Sequence, residues 1–176
     1  MSSFTSDIDG SPLDGSASIE LLETPVHEDA LFLLNYWNEK RRDRAMPDRS
    51  DISPTDFPRL LPNFGIAEVI AGGEDFRFRL YGSELTAMTG LDRTGELFSE
   101  LKAAPKTLLS DEETRRRWFE LARGILAFAQ PIFPKAPLRD GRGPKRMMHG
   151  IILPLSAGED GKIGQLVGAG FITRVS

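Results

Sequence analysis

Apolar positions along this chain switch between two spacings, and the switches mark its elements. In residues 24–44, Ala30, Leu33, Leu34 and Trp37 recur at helical spacing, with the stem of Arg41 on the same face. The run predicts a helix, with Thr24 as cap and Pro25 at the first helical position. Phe32 and Tyr36 widen its apolar stripe beyond what one packing surface requires. Residues 51–62 then hold three prolines in twelve positions, which permits only short helical turns, with Phe57, Leu60 and Leu61 pointing inward. At Phe76 the period drops to two: Phe76, Phe78 and Leu80 alternate with Arg77, Arg79 and Tyr81. Residues 64–70 and 76–81 therefore read as a hairpin joined by a glycine turn at 71–75. Gly82-Ser83 ends the second strand, Ser83 is placed to cap, and Leu85 and Met88 define a short helix that Gly90 stops.

Residues 97–109 are mixed, a short helix and a loop broken near Pro105. Ser110 and Glu113 form a capping box that opens a longer helix, along which Trp118, Leu121, Ala122, Ile125 and Ala129 keep helical spacing. Gln130-Pro131 closes it. Three strands follow, 132–138, 146–155 and 163–174, with hairpin turns at Asp140-Gly141 and Asp160-Gly161. Residues 1–23, rich in Ser, Asp and Gly, read as a flexible tail, although Ile19, Leu21 and Leu22 form a small patch able to dock. Residues 24–176 read as one domain. The order is helix, two strands, short helices, longer helix, three strands. It predicts an α+β fold of PAS type: a five-stranded antiparallel sheet, helices inserted after the second strand, and an N-terminal flanking helix.

Particular residues strengthen that reading. Tyr36-Trp37, Arg44, Pro47, Arg49, Asp51, Pro54 and Leu60-Leu61-Pro62 fall in one segment; Arg79-Leu80-Tyr81-Gly82, Gly90, Thr94-Gly95 and Ile152-Leu153-Pro154-Leu155-Ser156 follow. Together they resemble a bacterial, often stand-alone PAS-domain family long catalogued as a domain of unknown function. Its pattern is a YW helix, a P-x-R-x-D-I-x-P segment and an LLP turn. The likeness spans about residues 26–172. It departs at 38–44, where only Arg44 fits the family's basic pattern. The resemblance implies fold and a signalling context, and no chemistry.

Composition narrows the partners. The chain has 176 residues, 40% hydrophobic and 27% charged, with a net charge of −4, an ordinary globular balance that argues against nucleic acid. No apolar run approaches the roughly 18 residues of a membrane span, and the N-terminus lacks a signal-peptide pattern, so a cytoplasmic protein is expected. The chain contains no cysteine. Flavin-cysteinyl adducts and thioester chromophores, which need a thiol, are thereby excluded. Haem usually takes a histidine ligand; His27 lies at a helix start, and His149 is more simply a strand residue of the core or rim. No zinc-ligand set is present, and the cofactor stays open.

Other motifs have plainer explanations. Gly72-Gly73-Glu74-Asp75-Phe76 is close to the diguanylate cyclase signature, where acidic residues hold magnesium. Here the acidic pair is in swapped order, no second acidic ligand is evident upstream, and a tight hairpin turn needs the glycines anyway. Arg115-Arg116-Arg117 with Arg123 is able to grip an anion, but Asp111, Glu112, Glu113 and Glu120 balance it as a solvated helix face. No nucleophile–base pair is apparent.

These readings predict a non-catalytic sensory or regulatory module of bacterial signalling. Its pocket for a small apolar ligand is expected at Leu85, Met88, Phe98, Trp118, Leu121, Ile125, Met148 and His149. Output would pass to a separate signalling protein. A homodimer is expected through Phe32, Leu33, Tyr36 and Trp37. The alternatives are a ligand-free protein-interaction adaptor and, more remotely, a degenerate cyclase-like enzyme.

Overall fold

The computed structural model describes residues 19–138, 146–158 and 160–175. Within them lie six strands, β1 (Glu20–Leu22), β2 (Phe64–Ile70), β3 (Asp75–Tyr81), β4 (Phe133–Leu138), β5 (Arg146–Ser156) and β6 (Ile163–Arg174). The α-helices are α1 (Glu28–Arg41), α2 (Ser83–Thr89) and α3 (Asp111–Phe128), and short 3₁₀ turns at Arg49–Asp51, Pro54–Asp56 and Pro58–Asn63 fill the proline-rich stretch. The strands form one antiparallel sheet in the order β1-β4-β5-β6-β2-β3. Its longest ladder is β5–β6, running from Arg146 opposite Arg174 to Ser156 opposite Ile163.

Alternation along the strands gives the sheet two buried faces. One carries Phe64, Ile151, Leu153, Val167, Ala169 and Phe171, and α1 covers it with Ala30, Leu33 and Trp37. The other carries Ala67, Phe76, Phe78 and Leu166, covered by Phe98, Leu101, Ala122 and Ile125. A register shift between Ile66 and Ala67 brings Ala67 opposite Phe78, so the β2–β3 hairpin keeps its apolar residues on that second face.

Several boundaries differ from the sequence reading. The sheet has a sixth strand: Glu20, Leu21 and Leu22, inside the segment expected to be tail, pair with Lys135, Pro134 and Phe133 on β4. Leu22 gains burial against the α1-side core, which repays ordering that short segment. Helix α1 begins at Glu28, not near Thr24, because the His27 side chain takes the cap and accepts from the Asp29 N–H at 3.1 Å. The His27 ring also stacks on Phe171, 4.7 Å between centroids, which fixes the entry angle of the helix. The helix stops at Arg41, short of Arg44. The Arg44 guanidinium instead folds back onto the Lys40 carbonyl (2.8 Å) and the Asp51 carboxylate (2.8 Å). Gly82, not Ser83, is the cap of α2. The capping box of α3 is present as read, Ser110 and Glu113 each bonding the other's backbone N–H. The Asp140-Gly141 turn lies outside the described residues.

Candidate functional site

The site begins with missing side chains. Gly65 on β2 lies opposite Gly168 on β6, and Gly170 on β6 lies opposite Gly150 on β5. Opposed residues of an antiparallel pair point to the same face, so four glycines leave bare backbone across three strands. A Cβ at Gly170 would meet Leu85 Cδ2 at 3.2 Å, and one at Gly65 would meet Leu85 Cδ1 at 3.3 Å. Over this floor α2 brings Leu85 and Met88, α3 brings Trp118 and Leu121, and the Phe98–Glu100 turn brings Phe98. The partly open cavity measures about 290 Å³. Its aromatic wall is held edge to face, Trp118 against Phe78 at 5.1 Å and 89°.

One side is closed by residues 104–109, an irregular segment leading into α3. Lys106 laces that segment to α2: its backbone N–H donates to the Thr89 carbonyl at 2.9 Å and its Nζ to the Ala87 carbonyl at 2.8 Å. Polar groups on the wall are few. Arg93, only 2% exposed, donates to the Lys102 carbonyl at 2.8 Å and lies 3.4 Å from the Glu96 carboxylate. Tyr81, Thr89, Thr107, Thr114 and Arg117 also line the space. Burial pushes the Tyr81 hydroxyl pKa up and the Arg117 guanidinium pKa down.

Of the expected pocket residues, Leu85, Met88, Phe98, Trp118, Leu121 and Met148 line this cavity. Ile125 does not; it is fully buried in the core that α3 makes with the sheet. His149 is on the other face, since its neighbour Met148 points into the cavity and adjacent strand residues point to opposite sides. There its Nε2 shares a hydrogen bond with Thr173 Oγ1 at 2.9 Å and its ring lies 5.6 Å from that of His27. Burial holds its pKa below the ordinary histidine value. The sequence reading missed Arg93, the glycine floor and the 104–109 segment. The spacing Gly168-Ala169-Gly170 inside a strand was a usable signal, because glycine there marks close approach of something to the backbone.

On α1, Leu33 and Trp37 are buried against the sheet, which removes them from any surface a partner could touch. Tyr36 is half-buried. Its hydroxyl donates to Asp56 at 2.6 Å and accepts from the Ser53 N–H at 3.1 Å. Burial and the Asp56 bond push its pKa up to about 12. Phe32 is 46% exposed and Leu31 44%.

The remaining motifs are occupied by structural work. The Asp75 carboxylate accepts from the N–H groups of Phe76 (2.8 Å) and Ser99 (3.2 Å), pinning β3 to the Phe98 turn. Ala71, Gly72 and Gly73 all have positive φ, as a tight reversal requires. In the basic run, Arg115 donates to the Leu101 carbonyl at 3.0 Å, and Arg123 stacks over Phe119 at 4.5 Å. Among the described residues, no group of three or more histidine or acidic side chains is placed to hold a metal, and no helix is long and apolar enough to cross a membrane.

A PAS domain family profile matches residues 26–169, and the chain belongs to that family. No curated protein sequence matches it. Among solved structures it is similar to a sensory box histidine kinase/response regulator from Burkholderia thailandensis, at 10% identity and a TM-score of 0.38, over 69% of this chain and 86% of that one.

Proposed function

We propose that this PAS domain is a non-catalytic sensory module of a signalling pathway that binds a small, largely apolar molecule between the glycine floor and helices α2 and α3. The observation that carries this reading is the cavity of about 290 Å³. A well-packed core keeps few voids larger than a water, whereas ligand pockets begin near roughly 300 Å³. The Asp75 carboxylate of the cyclase-like turn serves the fold, which favours binding over chemistry. Occupancy would be read by a separate signalling protein at the domain surface.

The test is native mass spectrometry on the purified protein together with thermal-shift screening against an apolar metabolite panel. A bound mass or a ligand-dependent rise in Tm is expected, and Ala136→Phe, which fills the cavity from β4, should abolish both. Apo mass throughout, with no shift across the panel, would replace this reading with a ligand-free adaptor.

A second reading concerns association. Leu31 and Phe32 on α1, and Val26 just before it, are large apolar residues left exposed. Exposed apolar side chains along one helix favour an isologous dimer through α1, with Phe32 rather than Leu33 or Trp37 at its centre.

A further inference from the structure

The glycine floor is not evenly covered. Leu85 Cδ2 lies 3.2 Å from where a Cβ of Gly170 would stand, and Leu85 Cδ1 lies 3.3 Å from that of Gly65. The two methyl groups of one leucine therefore fill the two notches these glycines leave. Gly168, opposite Gly65 on β6 and two residues from Gly170 on the same face, is different. Among the described residues, the three atoms nearest a Cβ there belong to Ile151 and Ile152 of β5, at 3.0, 3.7 and 4.0 Å. No atom of α2 or α3 comes as near. Gly168 lines the cavity, so its bare backbone faces the void, and Leu85 bounds that void on the side of Gly65 and Gly170.

Backbone bonds hold Leu85 in place. At the start of α2 the Gly82 N–H donates to the Phe64 carbonyl of β2 at 2.9 Å. At its end the Lys106 N–H and Nζ hold the Thr89 and Ala87 carbonyls. Leu85 sits between these anchors, and a side chain seated in fitted notches yields little. We infer that Leu85 is the specificity-determining residue of the cavity, a stop that limits the ligand to an apolar molecule of about two fused rings lying on Gly168. On the scale on which about 150 Å³ holds benzene, a cavity of about 290 Å³ holds roughly a dozen carbons, enough for naphthalene and too few for phenanthrene. What sets Leu85 apart from other wall residues is what lies behind it. Truncating Leu121 on α3 vacates only its own volume, whereas truncating Leu85 also opens the notches over Gly65 and Gly170. The inference rests on the cavity being a ligand site, as proposed above.

Benzene, naphthalene and phenanthrene, uncharged and graded in size, test it by thermal shift on the full chain, with fluorescence titration of the two larger. The unmodified chain should bind naphthalene at least about tenfold tighter than phenanthrene, the scale on which an apolar pocket rejects an oversized group. In Leu85→Ala that order should invert, whereas Leu121→Ala, which removes the same atoms, should change the ratio only a few-fold. Gly170→Ala works in the opposite sense. Its methyl pushes Leu85 into the void, so naphthalene should bind about tenfold weaker while benzene stays within a few-fold. Circular dichroism checks that each variant folds, and Gly170→Ala keeps the test decisive should Leu85→Ala not fold. Equal affinities in the unmodified chain, an unchanged ratio in Leu85→Ala, an equal inversion in Leu121→Ala, or unchanged naphthalene binding in Gly170→Ala would each overturn the role of Leu85. The ligand site would still stand if Ala136→Phe abolishes the binding. Failure of all three hydrocarbons on both the unmodified chain and Leu85→Ala would overturn both readings.

Discussion

Trp37 donates its indole N–H to the carbonyl oxygen of Pro154 at 2.9 Å, and both residues are buried. The bond joins the middle of α1 to β5 across 117 residues of sequence. The same indole packs under Arg41, whose guanidinium lies 5.8 Å from the ring centroid. Trp37→Phe keeps most of the apolar area but strands the Pro154 carbonyl without a donor. It should lower stability by about 1–3 kcal/mol, read from the urea midpoint. A change within the error of the measurement would mean that water replaces the indole.

Gly82 is required by its surroundings more than by its own dihedrals. A Cβ there would overlap the Pro62 carbonyl and sit 2.7 Å from the Leu61 carbonyl oxygen. Both neighbours are backbone, which has little freedom to give way. Gly82→Ala should therefore cost more than about 2 kcal/mol and depress Tm, although the added methyl is the smallest possible side chain. Near-normal stability would show that the Pro58–Asn63 turn moves easily.

Asp48 clips the α1–β2 connection to the end of β5. Its carboxylate accepts from the N–H and hydroxyl of Ser50 at 3.0 and 2.7 Å, and from Ser156 Oγ and the Gly158 N–H, both at 3.1 Å. The Ser50 bonds, followed by those from Gly158 and Ser156, hold its pKa far below the ordinary carboxylate value. Because the folded pKa is depressed, the stabilisation is fully present above the unfolded value of about 3.9. It is lost as pH falls below that value towards the folded one. Asp48→Asn should thus lower Tm at pH 7, with the gap to the unmodified chain narrowing towards pH 3. A gap that does not change with pH would remove the carboxylate's charge from the account.

Phe32→Glu tests the α1 dimer. The side chain is 46% exposed and belongs to neither buried core, so the fold should survive and light scattering should move from dimer to monomer mass. A monomer for the unmodified protein at micromolar concentration would dismiss the dimer. Tyr36→Glu is a poor probe, since it also breaks the bonds to Asp56 and Ser53.

Local spacing made the hairpin 64–81, the capping box at Ser110 and the strands of β4 to β6 legible, because those signals depend on near neighbours. The ends of α1 were not, because they are set by long-range contacts. His27 caps the helix while seated on Phe171, and Arg44 turns back towards Asp51. β1 was obscured for a related reason: three residues carry no period, and only the β4 edge gives them a partner. In the cavity, the apolar wall followed from helical spacing on α2 and α3. His149 could not be oriented until register fixed which side Met148 occupies. Arg93 lay in a polar run, DRTG, whose pattern gives no hint that a guanidinium would be almost fully enclosed.

The bare floor has one more effect. On β6, Gly168 and Gly170 face the cavity, while Val167, Ala169 and Phe171, which alternate with them, face α1. The partition separating the two compartments is therefore a single peptide thick there, and the Leu85 and Met88 side chains of α2 rest directly on it. Phe171, next to Gly170, is the seat on which the His27 ring rests at the first turn of α1. Packing of α2 on the floor and seating of α1 on Phe171 thus meet at two adjacent residues of one strand, Gly170 and Phe171.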